Sequence, residues 1–362
     1  MNIKNQLVKI MFATVLAFVS FSCSDEEKVT IAKLPTITDI LKADGNYSVL
    51  VSALAKTQIT NFTGGGSFTL FAPDNAALAS VGITEASLAI ATPAQIATWK
   101  LILQNHILGV GTIMSDLLPA FDASGFAIST GYSSTAAVGA NGALSIFVNK
   151  IGETVLVNGG NALAGGANVV RQDVDASNGV VHFVDRVILL PKIVNHVIAN
   201  PDLSTLKTVV TSTGVVSATN PYGDQSAILT ALNAAGPVTV FAPTNTAFTA
   251  ATATPGVFFG GAIASNAVNA ANTTKLLQYH VVNTNRRAAS AAAWSTSMDA
   301  TLTTLAPTAQ TFFIKKGTTQ ITELPAIVAP AIIPAASNIK IVNIQATNGV
   351  IHVVDRVLQP VF

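Results

Sequence analysis

The sequence predicts an α+β fold built from two tandem domains of similar construction. Residues 68–78 read FTLFAPDNAAL, and a similar run, VTVFAPTNTAF, follows 170 positions later. Residues 178–187 (NGVVHFVDRV) recur at 348–357 with the same offset. Within each copy, strand-like apolar runs and helical segments are mixed irregularly, which favours α+β over a doubly wound parallel sheet. We therefore predict homologous domains at residues 34–192 and 193–362, because a repeat of this length is too long for a solenoid.

The composition limits the classes of function. Of the 362 residues, 50% are hydrophobic and only 10% are charged, against about 25% charged in an average soluble protein. The formal net charge is +1, so the chain lacks the basic footprint of a nucleic-acid-binding protein. The single Cys excludes a disulfide framework and a multi-cysteine zinc site.

The first residues have the pattern of an export signal. Lys4 and Lys9 precede an apolar run over residues 10–19, which is followed by small and aromatic residues up to Cys23. The run is too short to span a bilayer, which needs about 20 apolar residues. We predict a lipoprotein signal peptide at residues 1–22, with an ordinary secretory signal as the alternative.

Cys23 stands where bacterial lipoproteins carry their acylated cysteine, and residues 23–33 are predicted to be the lipidated residue and a tether. The acidic run Ser24-Asp25-Glu26-Glu27 resembles a surface-export signal of some Gram-negative lipoproteins, although a solvated tether explains it equally well. We expect an exported outer-membrane lipoprotein at the cell surface, attached to the membrane through its lipid alone.

The first half of each copy predicts a strand followed by helices. The apolar run at residues 67–71 ends at Ala-Pro, and proline ends a ladder because it has no N–H to donate. Asp74 and its counterpart Thr244 are suited to cap the following helix. Thr92 caps a second helix, with proline at its first position. One apolar face of that helix is indicated by residues spaced three or four apart, namely Ile96, Trp99, Leu103 and His106.

The second half of each copy predicts short strands and a closing hairpin. Residues 144–148 and 154–157 are strand candidates. The hairpin has strands at 169–174 and 180–189 around Asn178-Gly179, a pair that favours a tight turn because both residues tolerate positive φ. The second copy repeats this pattern at 339–344 and 350–358 around Asn348-Gly349.

Three motifs, present twice in the same order, resemble those of fasciclin-like domains. They are Phe-Ala-Pro-x-Asn-x-Ala, which contains Asn75 and Asn245; a His near the end of the central helix; and Asn-Gly-x-x-His-x-x-Asp-x-Val in the last hairpin. The resemblance implies a wedge-shaped β-sandwich of about seven strands with packed helices in each domain. It also implies adhesion or matrix association by extracellular or surface-anchored proteins.

In some animal members of that family, a segment around a Tyr-His pair is an adhesion site. The resemblance therefore offers Tyr279 and His280 as a candidate adhesion segment. Copy one departs from the pattern with Asn105 and His106, which weakens the transfer of this role to the first domain.

The histidine and aspartate of each last hairpin admit two interpretations. The pairs His182 with Asp185, and His352 with Asp355, could be metal or acid–base pairs. Positions i and i+3 of a strand face opposite sides, so we favour structural roles in which the imidazole nitrogens satisfy backbone groups. We assign no metal site.

No arrangement for catalysis stands out. A Gly-x-Ser-x-Gly elbow is missing, and the glycines at 64–66 lack the Gly-Lys-Ser/Thr of a phosphate loop, so neither an enzymatic activity nor a cofactor is predicted. The leading interpretation is a lipid-anchored, non-catalytic surface protein that binds surface proteins or glycans. The alternatives are a glycan- or small-ligand-binding component of a surface nutrient-capture system and, last, an unrecognised hydrolase.

Overall fold

A computed structural model shows the architecture of the chain. It describes residues 33–59, 67–108, 126–129, 143–215, 217, 219–253, 267–283, 300–306, 310–315, 318–323 and 336–360. The chain divides into a unit Met1–Leu34 and a compact unit Pro35–Phe362 that contains both repeats. The predicted signal peptide and Cys23 lie outside the described residues.

Domain 1 begins with helices and ends with a run of strands. Its helices are α1 (Ile37–Lys42), α2 (Ser48–Lys56), α3 (Asn75–Ser80), α4 (Glu85–Ala89) and α5 (Pro93–Gln104). Its strands are β1 (Phe68–Pro73), β2 (Ile107–Leu108), β3 (Phe126–Ser129), β4 (Ser145–Ile151), β5 (Thr154–Val157), β6 (Ala167–Ala176) and β7 (Gly179–Val184).

Domain 2 repeats this order. Its helices are α6 (Ile193–Ala199), α7 (Ser204–Val210), α8 (Ser226–Asn233), α9 (Asn245–Ala253) and α10 (Ala267–Tyr279). Its strands are β8 (Val238–Pro243), β9 (Val281–Val282), β10 (Ala300–Thr303), β11 (Thr311–Ile314), β12 (Gln320–Glu323), β13 (Ser337–Ala346) and β14 (Gly349–Val354).

The strands of each domain form one mixed, seven-stranded hydrogen-bonded array. The orders are β2-β1-β7-β6-β5-β4-β3 and β10-β11-β12-β13-β14-β8-β9. Among the described strands, β1 with β7 and β8 with β14 are the parallel pairs, whereas the other pairs are antiparallel. The predicted α+β class and the two-domain construction are confirmed.

Strand β1, second from one edge of the array, places alternate side chains into two cores. Leu70 and Ala72 pack with the helices of domain 1, whereas Phe71 packs with residues of β4 and β5, including Val148 and Val157. This alternation follows from the two-residue period of a strand. Strand β1 is therefore buried on both of its faces, and this packing fixes the position of the motif that ends the strand.

The predicted helix starts are confirmed. The Asp74 side chain accepts a hydrogen bond from the backbone N–H of Ala77 at 2.7 Å. Thr92 and Gln95 form a reciprocal capping box, with Pro93 as the first residue of α5. These caps satisfy backbone donors that have no partner within the helix.

The predicted closing turn is wrong by one residue. Ala176 pairs with Gly179 across the hairpin, so the two loop residues are Ser177 and Asn178. Gly179 already belongs to β7, where it also pairs with Phe68 of β1. The strand after the turn ends at Val184 rather than at residue 189. Domain 2 shows the same shift, because its hairpin closes between Ala346 and Gly349.

Candidate functional site

The two helix-end histidines connect distant backbone segments. His106 lies just after α5, and its Nδ1 is 2.8 Å from the carbonyl oxygen of Ile102, so Nδ1–H donates to that oxygen. The Nε2 atom accepts from the backbone N–H of Ile188 at 2.9 Å. Burial lowers the pKa of His106 to about 4, although the bond to Ile102 acts in the opposite direction. The ring is therefore neutral with both nitrogens engaged.

Domain 2 repeats this arrangement at His280. Its Nδ1 lies 2.9 Å from the carbonyl oxygen of Leu276, and its Nε2 accepts from the backbone N–H of Leu358 at 2.9 Å. Burial again lowers the pKa to about 4. Both imidazoles thus fasten the end of the central helix to the segment that follows the last strand.

The neighbours of these histidines in the candidate adhesion segment are also buried. Asn105 is 1% exposed and Tyr279 is 2% exposed. The Asn105 Nδ2 donates to the carbonyl oxygen of Leu189 at 3.2 Å, and the Tyr279 hydroxyl donates to that of Thr311 at 3.2 Å. These side chains face the interior, so an adhesive role could reach a ligand only through the surface that they support.

The hairpin histidines accept hydrogen bonds from a bulge in the preceding strand. The Nδ1 of His182 accepts from the backbone N–H of Asp173 at 3.2 Å, and that of His352 accepts from Asn343 at 3.2 Å. Asp173 and Asn343 adopt positive φ, +56° and +62°, where Asp and Asn are better tolerated than most residues. Each pairing fixes an irregular point of the ladder.

The hairpin aspartates bind the same strand as the histidines, but five residues nearer its start, at Asn168 in β6 and Asn338 in β13. The two oxygens of Asp185 accept from the backbone N–H and the side-chain amide of Asn168, both at 2.8 Å. Asp355 accepts in the same way from Asn338. Burial alone would raise the pKa of Asp355, but the hydrogen bonds from Asn338 and the charge of Lys340 together lower it. The structure therefore pairs each aspartate with an asparagine.

The motif asparagines join α3 and α9 to the segments that begin each domain. Asn75 accepts from the backbone N–H of Val49 at 3.0 Å and donates to the carbonyl oxygen of Gly45 at 3.0 Å. In domain 2, Asn245 accepts from Thr205 at 2.9 Å and donates to Pro201 at 2.9 Å. One side chain thus binds an N–H in the first turn of a separate helix and a carbonyl oxygen in the turn that precedes that helix.

Sequence reasoning missed Glu323. Its carboxylate at the end of β12 accepts a hydrogen bond from the backbone N–H of Gln359. Burial raises its pKa to about 7, against the opposing effects of that bond and of the Arg356 charge. In domain 1 the corresponding N–H, that of Leu189, donates to a backbone oxygen of Gly165 instead. A sequence signal is lacking because the acid stands in a strand that differs between the copies.

The described residues contain neither a cluster of metal-binding side chains nor a helix able to span a membrane. They include no group of three His, Cys, Asp or Glu residues able to hold a metal ion. Within the same part of the chain, the helices are too short or too polar to cross a bilayer.

The fold and these contacts define a tandem pair of mixed-sheet domains whose repeated polar motifs bind the backbone of their own domain. The family model of the Fasciclin domain matches residues 45–191 and 201–360. The chain therefore belongs to the fasciclin domain family and contains two tandem copies. Fasciclin domains are generally non-catalytic binding domains associated with adhesion.

The chain is also similar to individual proteins. Protein sll1483 of Synechocystis sp. is 34% identical over 135 residues, which are 37% of this chain and 61% of that protein. The chain thus matches about three fifths of the length of this relative. A solved FAS1 domain pair from the insect cell adhesion molecule Fasciclin I covers 89% of this chain and 96% of its own, with 18% identity and a TM-score of 0.47.

Proposed function

We propose that the protein is a lipid-anchored, non-catalytic adhesion protein of the cell surface. Its two fasciclin domains bind surface proteins or glycans, and its contact with the membrane is through acylated Cys23 alone. One observation carries the proposal: the tandem fasciclin domains use their repeated polar motifs internally. Binding is then a property of the outer surface.

The character of that surface supports short-range recognition. Only 10% of the residues are charged, so few ions lose their hydration when a partner docks. Several large apolar side chains are exposed in the described part of the chain, namely Ile90 (84%), Leu163 (79%), Val170 (66%) and Val215 (86%). A near-neutral surface gives little electrostatic steering, so contact area dominates recognition.

The second candidate is a glycan- or small-ligand-binding component of a surface nutrient-capture system. Sugar binding commonly uses aromatic faces, yet aromatic residues make up only 6% of the chain. Of the two tryptophans, Trp99 is only 7% exposed and packs in the core of domain 1. The adhesion hypothesis with a protein partner is therefore favoured.

The anchor is tested by replacing the acylated residue. Cys23→Ser should move the protein from the membrane fraction to the soluble fraction and remove the mass of the acyl chains. Ser22→Ala is the matched control, because it keeps a small residue before an intact Cys23. Equal membrane retention of Cys23→Ser would disprove the anchor.

Orientation and partner class are tested on intact cells. Because we propose that the protein faces outward, protease added to intact cells should degrade the wild-type protein and leave a periplasmic marker intact. Fluorescently labelled Cys23→Ser protein should then bind cells that lack the gene. Loss of binding after protease treatment of those cells indicates a protein partner, whereas loss after periodate oxidation indicates a glycan. Absence of any binding to such cells would contradict the adhesion function.

A further inference from the structure

One face of β4 in domain 1 is turned away from the core of its own domain. Ile146 and Val148 point into that core, so the alternate residues Ser145, Phe147 and Asn149 lie on the opposite face. All three are nonetheless buried, with exposures of 2%, 3% and 2%. Another part of the molecule therefore covers this face.

Domain 2 provides the cover. The Ser145 hydroxyl oxygen accepts a hydrogen bond from the backbone N–H of Gln345 in β13 at 2.9 Å. Phe147 packs against Ala199 of α6. The backbones also approach closely, because a Cβ on Gly159 would stand 3.0 Å from the Cα of Ala199. The two domains are thus docked through β4 and the segment after β5 on one side and α6 and β13 on the other.

This interface between the two domains buries polar atoms that have no hydrogen-bond partner. Five buried side-chain atoms in the described part of the chain have no hydrogen-bond partner, and three belong to Asn149 (Oδ1), Asn158 (Nδ2) and Gln345 (Oε1). A buried polar atom without a partner destabilises the state that buries it. Water would satisfy these atoms if the domains moved apart.

The apolar contribution to docking is small. The shared cluster contains three buried residues, Phe147, Ala164 and Ala199, whereas each domain has a much larger core of its own. Hydrophobic stabilisation scales with the apolar area removed from water. Partly buried Ile198 also packs against this cluster, and the Asn195 Nδ2 donates across the domains to the carbonyl oxygen of Leu163 at 3.0 Å. The three unsatisfied polar atoms offset part of these contacts, which narrows the free-energy difference between the docked and separated arrangements.

The linker allows rotation at one point. The Leu189 N–H donates to the carbonyl oxygen of Gly165 in domain 1 at 3.0 Å. The Pro191 carbonyl oxygen accepts from the N–H of Thr347 in domain 2 at 2.8 Å. Leu190 lies between these two anchored positions, and a few φ/ψ changes at such a residue suffice for a hinge.

We propose that the tandem unit is a two-state joint: the domains separate about Leu190 as rigid bodies, and the open form hydrates Asn149, Asn158 and Gln345. The joint changes the angle between the two domains without unfolding either one. It goes beyond the adhesion function and does not depend on it.

The test is single-molecule FRET on the full chain carrying Cys23→Ser, with dyes on Ser80→Cys and Ser226→Cys, two exposed positions in different domains. The wild-type protein should show a major FRET population from the docked form and a minor population of up to about 10% from the open form. Gln345→Met removes the unsatisfied oxygen at similar length and should reduce the minor population about fivefold or more.

A matched pair of glycine variants tests the opposite effect, an increase in the open population. Both Gly159 and Gly152 have positive φ, +71° and +59°. A Cβ added to Gly159 would meet Ala199 of domain 2, whereas a Cβ added to Gly152 would have nothing within 4 Å. Gly159→Ala should enlarge the minor, open population about tenfold, and Gly152→Ala should leave that population unchanged. A single FRET population unaffected by Gly159→Ala would overturn the proposal. A larger open population in Gln345→Met would also overturn it, because the amide oxygen would then be needed for docking.

Discussion

A Cβ added to Gly179 would stand 2.0 Å from the carbonyl oxygen of Phe68. The parallel pairing of β1 and β7 starts at these two residues and brings their backbones together. In domain 2, Gly349 has the same relationship to Val238, also at 2.0 Å. Both glycines have positive φ, +149° and +156°, so the close approach and the backbone conformation each require the absence of a side chain.

Gly179→Val and Gly349→Val should therefore destabilise their domains severely, by about 3 kcal/mol or more. Denaturant unfolding monitored by circular dichroism measures the loss. Gly82→Val is the control, because Gly82 has φ +80° but nothing within 4 Å of an added Cβ. Equal losses in Gly82→Val and Gly179→Val would show that the contact with Phe68 is unimportant.

Local signals in the sequence predicted the parts of the fold that depend on neighbouring residues. The caps at Asp74 and Thr92 were predictable because a cap and its partner are three residues apart. The position of the closing turn was not, because Gly179 is required by β1, a strand more than 100 residues earlier in the sequence. Local turn preference alone placed the turn one residue too late.

The candidate site shows the same contrast between local signals, which the sequence reveals, and contacts between distant residues, which it does not. The motif positions of His106 and Asp185 were visible as repeats, and their occurrence in two copies marked them as important. Their partners were not, because the N–H bound by His106 Nε2 belongs to Ile188, 82 positions away. Glu323 was missed for a related reason: its burial and its bond to Gln359 depend on the strand register.

Glu323 should make the stability of domain 2 depend on pH near neutrality. Its folded pKa of about 7 lies above the ordinary glutamate pKa of 4.5, chiefly because of burial. Its contribution to stability is fully present below pH 4.5 and is lost as pH rises through 7. Glu323→Gln should remove this loss, which is of the order of 3 kcal/mol at most. Guanidinium unfolding at pH 5 and pH 8 measures the difference.

The control for this prediction is Glu153→Gln, since the Glu153 side chain is 94% exposed and its replacement should leave the pH dependence unchanged. Comparison with wild type at each pH cancels the titration of all other groups. If Glu323→Gln loses as much stability as wild type between pH 5 and 8, the carboxylate is not the source.

Asn75→Ala should destabilise domain 1 by about 1–3 kcal/mol, because the backbone N–H of Val49 and the carbonyl oxygen of Gly45 both lose a partner. Asn245→Ala should do the same in domain 2, where Thr205 and Pro201 are affected. Thermal unfolding reports both changes.

Asn46→Ala is the matched control for the asparagine variants, because Asn46 is an exposed asparagine in the turn before α2. Its unfolding temperature should stay close to that of wild type. If Asn75→Ala melted like Asn46→Ala, the connection between α2 and α3 would not depend on the motif side chain.

The buried His106, which follows α5, should make domain 1 sensitive to acid. Burial lowers the pKa of His106 from 6.5 to about 4, so its contribution to stability is present above pH 6.5 and is lost as pH falls toward 4. His106→Gln should cost about 1–3 kcal/mol at pH 7 and reduce the proton uptake on unfolding by about one between pH 6.5 and 4. Leu103→Ala, at a position 1% exposed in the last turn of α5, should cost about 2–5 kcal/mol without changing that uptake. The slope of unfolding free energy against pH separates the two variants, and an unchanged slope in His106→Gln would mean that His106 is not the group that binds the proton.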